Sequence, residues 1–190
     1  MRGVRMVTAA AVTLLGATGF VGERVLRNLD QQGIRVEAVS RQSRPPGLPP
    51  NIGWTQADLN EPEAVARIPW SETVISTVFV AMTAQVVEQW SQSTSCRLVA
   101  FSSTSALTKS NSSESTDREM SARLREGEAR LRELHPNVTI LRPTMIYGGP
   151  GDRNIERVTQ QLVKFPFFRW LDREWDCGSY SRRKVILDLR

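Results

Sequence analysis

The chain has 190 residues, 40% of them hydrophobic and 24% charged, with 25 Lys and Arg against 20 Asp and Glu. That length suits one domain with a proper core, and that balance suits a globular chain. No apolar stretch approaches the roughly 20 residues of a membrane span, two cysteines make no disulfide framework, and a single histidine argues against a His-based triad or a His-rich metal site.

The net charge of +5 does not point to nucleic acid, because the basic residues are scattered apart from Arg182, Arg183, Lys184 and Arg190. Met1-Arg2-Gly3-Val4-Arg5 mimics the start of a signal peptide, but the apolar run behind it reads as the first strand of the fold, with Met6 as an alternative start. Cys96 and Cys177 lack metal-ligand spacing, and Cys96 reads as a packing residue. A reducing cytoplasm is the expected location.

Val12, Thr13, Leu14 and Leu15 read as a strand that runs straight into Gly16, Gly19 and Gly22. A helix follows: Phe20, Val21, Val25, Leu26 and Leu29 recur at helical spacing, with Glu23, Arg24, Arg27 and Asn28 on the other face. A strand that ends in a glycine turn at a helix N-terminus leaves backbone N–H groups without intrahelical partners. Those donors and the helix dipole favour a pyrophosphate. Gly16 permits the tight turn, Gly19 a close approach of backbone to phosphate, and Gly22 close packing of helix on strand. The spacing is Gly-x-x-Gly-x-x-Gly rather than Gly-x-Gly-x-x-Gly, so an ordinary βα turn with packing glycines competes with this reading.

Gly33 ends the helix, and Ile34 to Val39 form the second strand. Ser40 to Pro50 is a loop, Ile52 to Ala57 the third strand, and a helix starts near Pro62. Thr73 to Val80 read as the fourth strand, Thr83 to Ser93 as a helix, Arg97 to Phe101 as the fifth strand, and Thr108 to Ser115 as a polar loop. Thr116-Asp117-Arg118-Glu119 fits a capping box. The helix it opens runs to Leu134, with Glu119–Arg123, Glu126–Arg130 and Glu128–Arg132 spaced as ion pairs and Met120, Leu124, Leu131 and Leu134 towards the sheet. His135 is expected to cap that helix and face solvent, and Val138 to Leu141 form the sixth strand. Strands that alternate with helices predict an α/β fold, a doubly wound parallel sheet of Rossmann type with six strands.

Gly16-Ala17-Thr18-Gly19-Phe20-Val21-Gly22 resembles the cofactor loop of the short-chain dehydrogenase/reductase superfamily. It is most similar to the extended or atypical branch with nucleotide-sugar epimerases, dehydratases and NmrA-like proteins. Leu141-Arg142-Pro143-Thr144-Met145-Ile146-Tyr147-Gly148 resembles the Leu-Arg-Pro…Tyr-Gly segment of that branch. The likeness spans residues 10 to 168. It implies a dinucleotide-binding domain over residues 1–168 and an atypical tail over residues 169–190.

The resemblance assigns cofactor contacts to Gly16, Thr18, Gly19, Phe20, Val21 and Gly22 in the loop, and to Thr77 in the fourth-strand segment Ser76-Thr77-Val78. Asp58-Leu59 resembles the adenine-contacting pair, although Asp58 would also suit a helix cap. Pro143 would lie beside the nicotinamide, with Thr144 and Ile146 on its amide or pyrophosphate side. Ser103 or Thr104, in the segment Phe101 to Ala106, would bond a substrate hydroxyl, although serines there also suit a local turn. At the tip of the second strand an acid takes a ribose 2′-hydroxyl and an arginine a 2′-phosphate. This chain has Ser40-Arg41 with Arg44 nearby and no acid, which favours NADP over NAD unless both arginines are merely solvated.

The departure lies in the catalytic pair Tyr-x-x-x-Lys. With Glu128 placed on the glutamate that follows that lysine by four, Met120 and Leu124 occupy the tyrosine and lysine positions, and neither transfers a proton. The tyrosines of the chain are Tyr147 and Tyr180. The expected function is therefore an NAD(P)-binding protein related to nucleotide-sugar epimerases and dehydratases but without their catalytic pair. An NADPH-dependent reductase that draws its proton from Ser103, Thr104 or water stays open, as does a non-enzymatic redox sensor or assembly partner. The small-molecule substrate is not named by the residues. After Phe165-Pro166-Phe167-Phe168 the chain reads Arg169-Trp170-Leu171-Asp172 where the family has a Gly-x-Gly turn. Much of the substrate-binding C-terminal part is expected to be missing, and the apolar face so left predicts a homodimer.

Overall fold

The computed structural model describes residues 10–90, 96–144 and 146–147. The chain divides into one unit of residues 1–146 and a second of residues 147–190, and the account below concerns the first. The turn expected at Gly148 to Gly151, the helix at Asn154 to Lys164, the boundary at 168 and the tail 169–190 lie outside the described residues.

Six parallel strands form one sheet: β1 Val12–Leu15, β2 Val36–Ser40, β3 Ile52–Gln56, β4 Thr73–Ser76, β5 Arg97–Phe101 and β6 Thr139–Leu141. Their order is β3-β2-β1-β4-β5-β6. The helices are α1 Phe20–Gln31, α2 Pro62–Ala66, α3 Val80–Gln89, α4 Ser105–Thr108 and α5 Ser115–Leu134. The chain steps outwards from β1 to β3 and then returns to the far side of β1, where Leu15 pairs with Val39 on one side and with Ser76 on the other. The loops after β1 and β4 therefore diverge, and a crevice opens at their carboxyl ends.

The centre of the sheet is apolar because both faces are covered. Leu14, Val36, Ala38 and Ile52 pack with Leu26 of α1 on one side. Leu15, Val39, Val74 and Leu98 pack with Val86, Leu124 and Leu131 on the other. Thr13 is the polar exception within β1, and its hydroxyl bonds the Pro69 carbonyl at 3.0 Å. Leu131 is fully buried in the second core, so Leu131→Ala is expected to cost about 3 kcal/mol in urea denaturation.

Several boundaries move from their expected positions. β4 stops at Ser76, and residues up to Val80 do not continue it. Thr77 turns back to the glycine loop, and Phe79 adopts an extended conformation that caps α3. The capping box at Thr116 does not form. α5 starts at Ser115 with Glu114 as its cap, and Asp117 instead accepts hydrogen bonds from Lys109 at 2.7 Å and Ser112 at 3.2 Å. The Lys109 bond holds the Asp117 carboxyl below the usual carboxylate range.

Of the three expected ion pairs along α5, Glu128–Arg132 forms at 3.5 Å. Arg130 instead joins Glu88 on α3 and Glu133, and Arg123 lies over the Phe79 ring. Met120 is 42% exposed rather than packed in the core. His135 is buried, not solvent-facing. Its Nε2–H donates to the Cys96 carbonyl at 3.0 Å, which closes the end of α5 against the start of β5. Burial pushes the Cys96 thiol up, as expected of a packing residue. No helix among the described residues is long and apolar enough to cross a membrane.

Candidate functional site

The glycine loop is fixed by sterics. Gly16 takes φ +81, and a Cβ there would lie 2.8 Å from the Val78 side chain. A Cβ on Gly22 would overlap the Gly16 carbonyl oxygen and come within 2.9 Å of the Thr77 hydroxyl. Gly19 is exposed and caps α1 without a side-chain bond, so the helix begins with N–H groups open to an anion. Thr77, the residue after β4, braces the loop, its hydroxyl donating to Leu15 O at 2.9 Å and Gly16 O at 3.2 Å. The backbone N–H groups of Gly16 and Ala17 are anchored on Val39 O at 3.0 and 3.1 Å.

A cavity of about 420 Å³ opens against this loop, walled by Thr18, Ser40, Arg41, Asp58 and Leu59. Thr18 and Ser40 share a hydrogen bond of 2.8 Å across it. Arg41 is exposed, and its guanidinium makes no hydrogen bond among the described residues. Its backbone carbonyl is held by the Gln56 side chain at 3.1 Å, and Trp54 holds the Gln42 carbonyl at 3.1 Å. Those two β3 residues position the tip of β2 and carry no motif that sequence reasoning could use.

Arg44 does not join the cavity. It donates to the carbonyls of Ile52 at 2.8 Å, Pro49 at 3.4 Å and Leu48 at 3.5 Å, and so ties down its own loop. Asp58 does not cap α2, whose cap is Glu61. Its carboxylate accepts the Asn60 N–H at 3.0 Å, the chief reason its pKa lies below the ordinary value, and the charge of Arg41 adds to the effect.

A second groove of about 340 Å³ shares Thr77, Val78 and Phe79 with the cavity. It runs on past Val21, Phe101, Ser103, Met120, Leu124 and Ile146. Met120 and Leu124 both line this groove, and α5 contains no tyrosine or lysine. Phe20 lines neither space and carries Arg24 over its ring. Ser103 accepts the Ser105 N–H at 3.2 Å, and Thr104 turns its hydroxyl to the Pro143 carbonyl at 3.4 Å. Pro143 is half-buried and Thr144 exposed, and neither lines the two spaces.

Sequence reading passed over Ser102. Its hydroxyl donates to Glu128 at 2.6 Å, and the same carboxylate takes Arg142 Nε at 2.8 Å together with Arg142 Nη2. Glu128 is 2% exposed. Chiefly the Arg142 guanidinium holds its carboxyl below the usual range. No group of three His, Cys, Asp or Glu that could hold a metal occurs among the described residues.

The sequence matches a family described as NAD(P)H-binding over residues 16–166. No curated protein matches it. Its fold is similar to a short-chain dehydrogenase/reductase (wide type) from Veillonella parvula solved with NADP: TM-score 0.63, 15% identity, 84% of this chain and 89% of that one covered. It is also similar to the Bordetella bronchiseptica enzyme WbmH solved with NAD+, at TM-score 0.61 and 13% identity over 81% and 64% of the two chains. MoeE5, solved with UDP-glucose and NAD, matches at TM-score 0.57 and 20% identity, and this chain covers 83% of itself and 61% of that protein. With a family match over residues 16–166 and a six-stranded parallel sheet in the order β3-β2-β1-β4-β5-β6, the chain belongs to the NAD(P)H-binding family.

Proposed function

We propose that the chain binds NADP(H) in preference to NAD(H) at the carboxyl edge of the sheet, without the standard epimerase or dehydratase chemistry. In this reading the pyrophosphate rests on the loop Gly16 to Gly22, with Thr18, Phe20 and Val21 around it, and the adenosine end lies towards Asp58 and Leu59. The steric demands at Gly16 and Gly22 support it, since they leave backbone where a side chain would otherwise stand.

The observation that carries the NADP preference is Arg41. It stands at the tip of β2, lines the cavity and has no hydrogen-bond partner of its own among the described residues. A guanidinium so placed offers two parallel N–H donors to a 2′-phosphate dianion. Bound dinucleotide would supply a hydride donor or acceptor. With Met120 and Leu124 at the groove and no tyrosine or lysine on α5, no proton-transfer pair of the family's kind stands beside it among the described residues. A cytoplasmic location is part of this proposal.

Arg41→Ala tests the preference. Its affinity for NADPH in calorimetry is expected to fall about tenfold, as for the loss of a charge-assisted bond, while its affinity for NADH stays the same. An equal fall for both cofactors would contradict the role of Arg41.

A further inference from the structure

The Arg41 guanidinium makes no hydrogen bond among the described residues, yet the backbone that carries it is held from several directions. β2 ends at Ser40, which pairs with Gln56 of β3, and the Ala57 N–H donates to the Ser40 carbonyl at 2.9 Å. Past that point the next two carbonyls of the chain are taken by side chains of β3. Gln56 Nε2–H donates to the Arg41 carbonyl at 3.1 Å, and Trp54 Nε1–H to the Gln42 carbonyl at 3.1 Å. The Gln42 N–H donates in turn to the Ser40 hydroxyl at 3.1 Å, and that hydroxyl shares its 2.8 Å bond with Thr18 of the glycine loop.

Trp54 and Gln56 stand two residues apart on one strand, so both side chains leave the same face of β3. Trp54 is half-buried, its ring packed against the core of Leu14, Ala38 and Ile52, and it extends its N–H from that fixed base. Gln56 is exposed. Neither lines the cavity, whereas Arg41 and Gln42, whose carbonyls they hold, both do. Arg44 closes the far side of the loop on the Ile52 carbonyl at 2.8 Å. The backbone at Arg41 and Gln42 is therefore set before a ligand arrives, and the Arg41 guanidinium is left uncommitted. A loop that must order on binding subtracts that cost from affinity, and a loop ordered in advance avoids it.

We propose that Trp54 and Gln56 are positioning residues for cofactor specificity: by holding the Gln42 and Arg41 carbonyls, they present the Arg41 guanidinium in place to the 2′-phosphate of the dinucleotide. This rests on the role of Arg41 proposed above. It gives part of the discrimination between the two cofactors to side chains outside the cavity, and it makes their effect conditional on Arg41. Trp54→Phe keeps an aromatic ring on the core and removes the donor. Gln56→Ala removes the other donor at an exposed position.

The test is calorimetric titration of the full chain with NADPH and with NADH, for the wild type, Trp54→Phe, Gln56→Ala, and each of the two combined with Arg41→Ala. Each single variant should bind NADPH about threefold more weakly than the wild type, and the two substitutions together about tenfold, with affinity for NADH unchanged. On the Arg41→Ala background the same substitutions should change neither affinity, because a residue that acts through Arg41 has nothing left to position. A merely structural role would lower both affinities alike, and would do so with or without Arg41. Should Trp54→Phe not fold, Gln56→Ala decides alone. An unchanged ratio of NADPH to NADH affinity in the single variants would overturn the proposal and leave the role of Arg41 standing, as would an equal loss of both cofactors or a loss that persists on the Arg41→Ala background. A wild type that binds neither dinucleotide, or that shows no preference for NADPH, would overturn the NADP reading, and this one with it.

Discussion

Gly22→Ala is expected to cost the fold about 3 kcal/mol and to abolish binding of NADPH. The added Cβ would overlap the Gly16 carbonyl oxygen and stand 2.9 Å from both the Gly16 carbonyl carbon and the Thr77 hydroxyl. None of these can yield. Gly16 is held at φ +81 with its N–H on Val39 O, and Thr77 is bonded back to Leu15 O and Gly16 O. Relief would need α1 to lift off β1, which displaces the helix N-terminus that faces the phosphates. Gly33→Ala is the control. Gly33 also has a positive φ, of +70, but nothing lies within 4 Å of its Cβ position. It should lose about 1 kcal/mol through backbone strain and keep its cofactor affinity. Urea denaturation and cofactor titration of the two variants check the contrast, which collapses if Gly22→Ala is as stable and as competent as Gly33→Ala.

Glu128→Gln is expected to cost about 3 kcal/mol, because it leaves Arg142 without its charged partner at a site where the carboxylate is buried. It also alters the acid response. The folded protein binds a proton at Glu128 less readily than the unfolded chain does, since Arg142 holds that carboxyl below its ordinary value of 4.5. The stability so gained is complete above about pH 5 and drains away as pH falls through the ordinary value towards the lower folded one. Asp58 and Asp117 are also lowered and contribute in the same direction, so the wild type and the variant both weaken in acid. The part specific to Glu128 is the difference between them. The urea midpoint should fall less steeply between pH 5 and pH 3 in Glu128→Gln, and parallel slopes would show that the carboxylate is not coupled to Arg142 as described.

The glycine loop was legible because its demands are local. Three glycines, one buried strand and one amphipathic helix lie within 20 consecutive residues, and each constrains the next. The end of β4 was not legible, since Val78-Phe79-Val80-Ala81-Met82 is an apolar run without period that serves strand or helix equally well. Hydrogen bonds from Thr77 to β1 settle it, and they link residues about 60 positions apart. Arg41 and Arg44 look alike in sequence. Only the path of the β2–β3 loop brings three carbonyls to Arg44 and none to Arg41. Glu128 looks like one more acid on a charged helix face, yet it meets Ser102 and Arg142, 26 and 14 residues away, because β5 and β6 end beside α5. Met120 shares a helix face with the buried Leu124 and still lies exposed, on the open groove that both residues line.

Direct titration of the full chain with NADPH and with NADH tests the central claim. Saturable binding of NADPH at one site, tighter than that of NADH, should come with a melting temperature that climbs with cofactor concentration, because ligand bound to the native state stabilises it. No heat and no thermal shift with either dinucleotide would contradict the assignment of the glycine loop and Arg41 as a cofactor site.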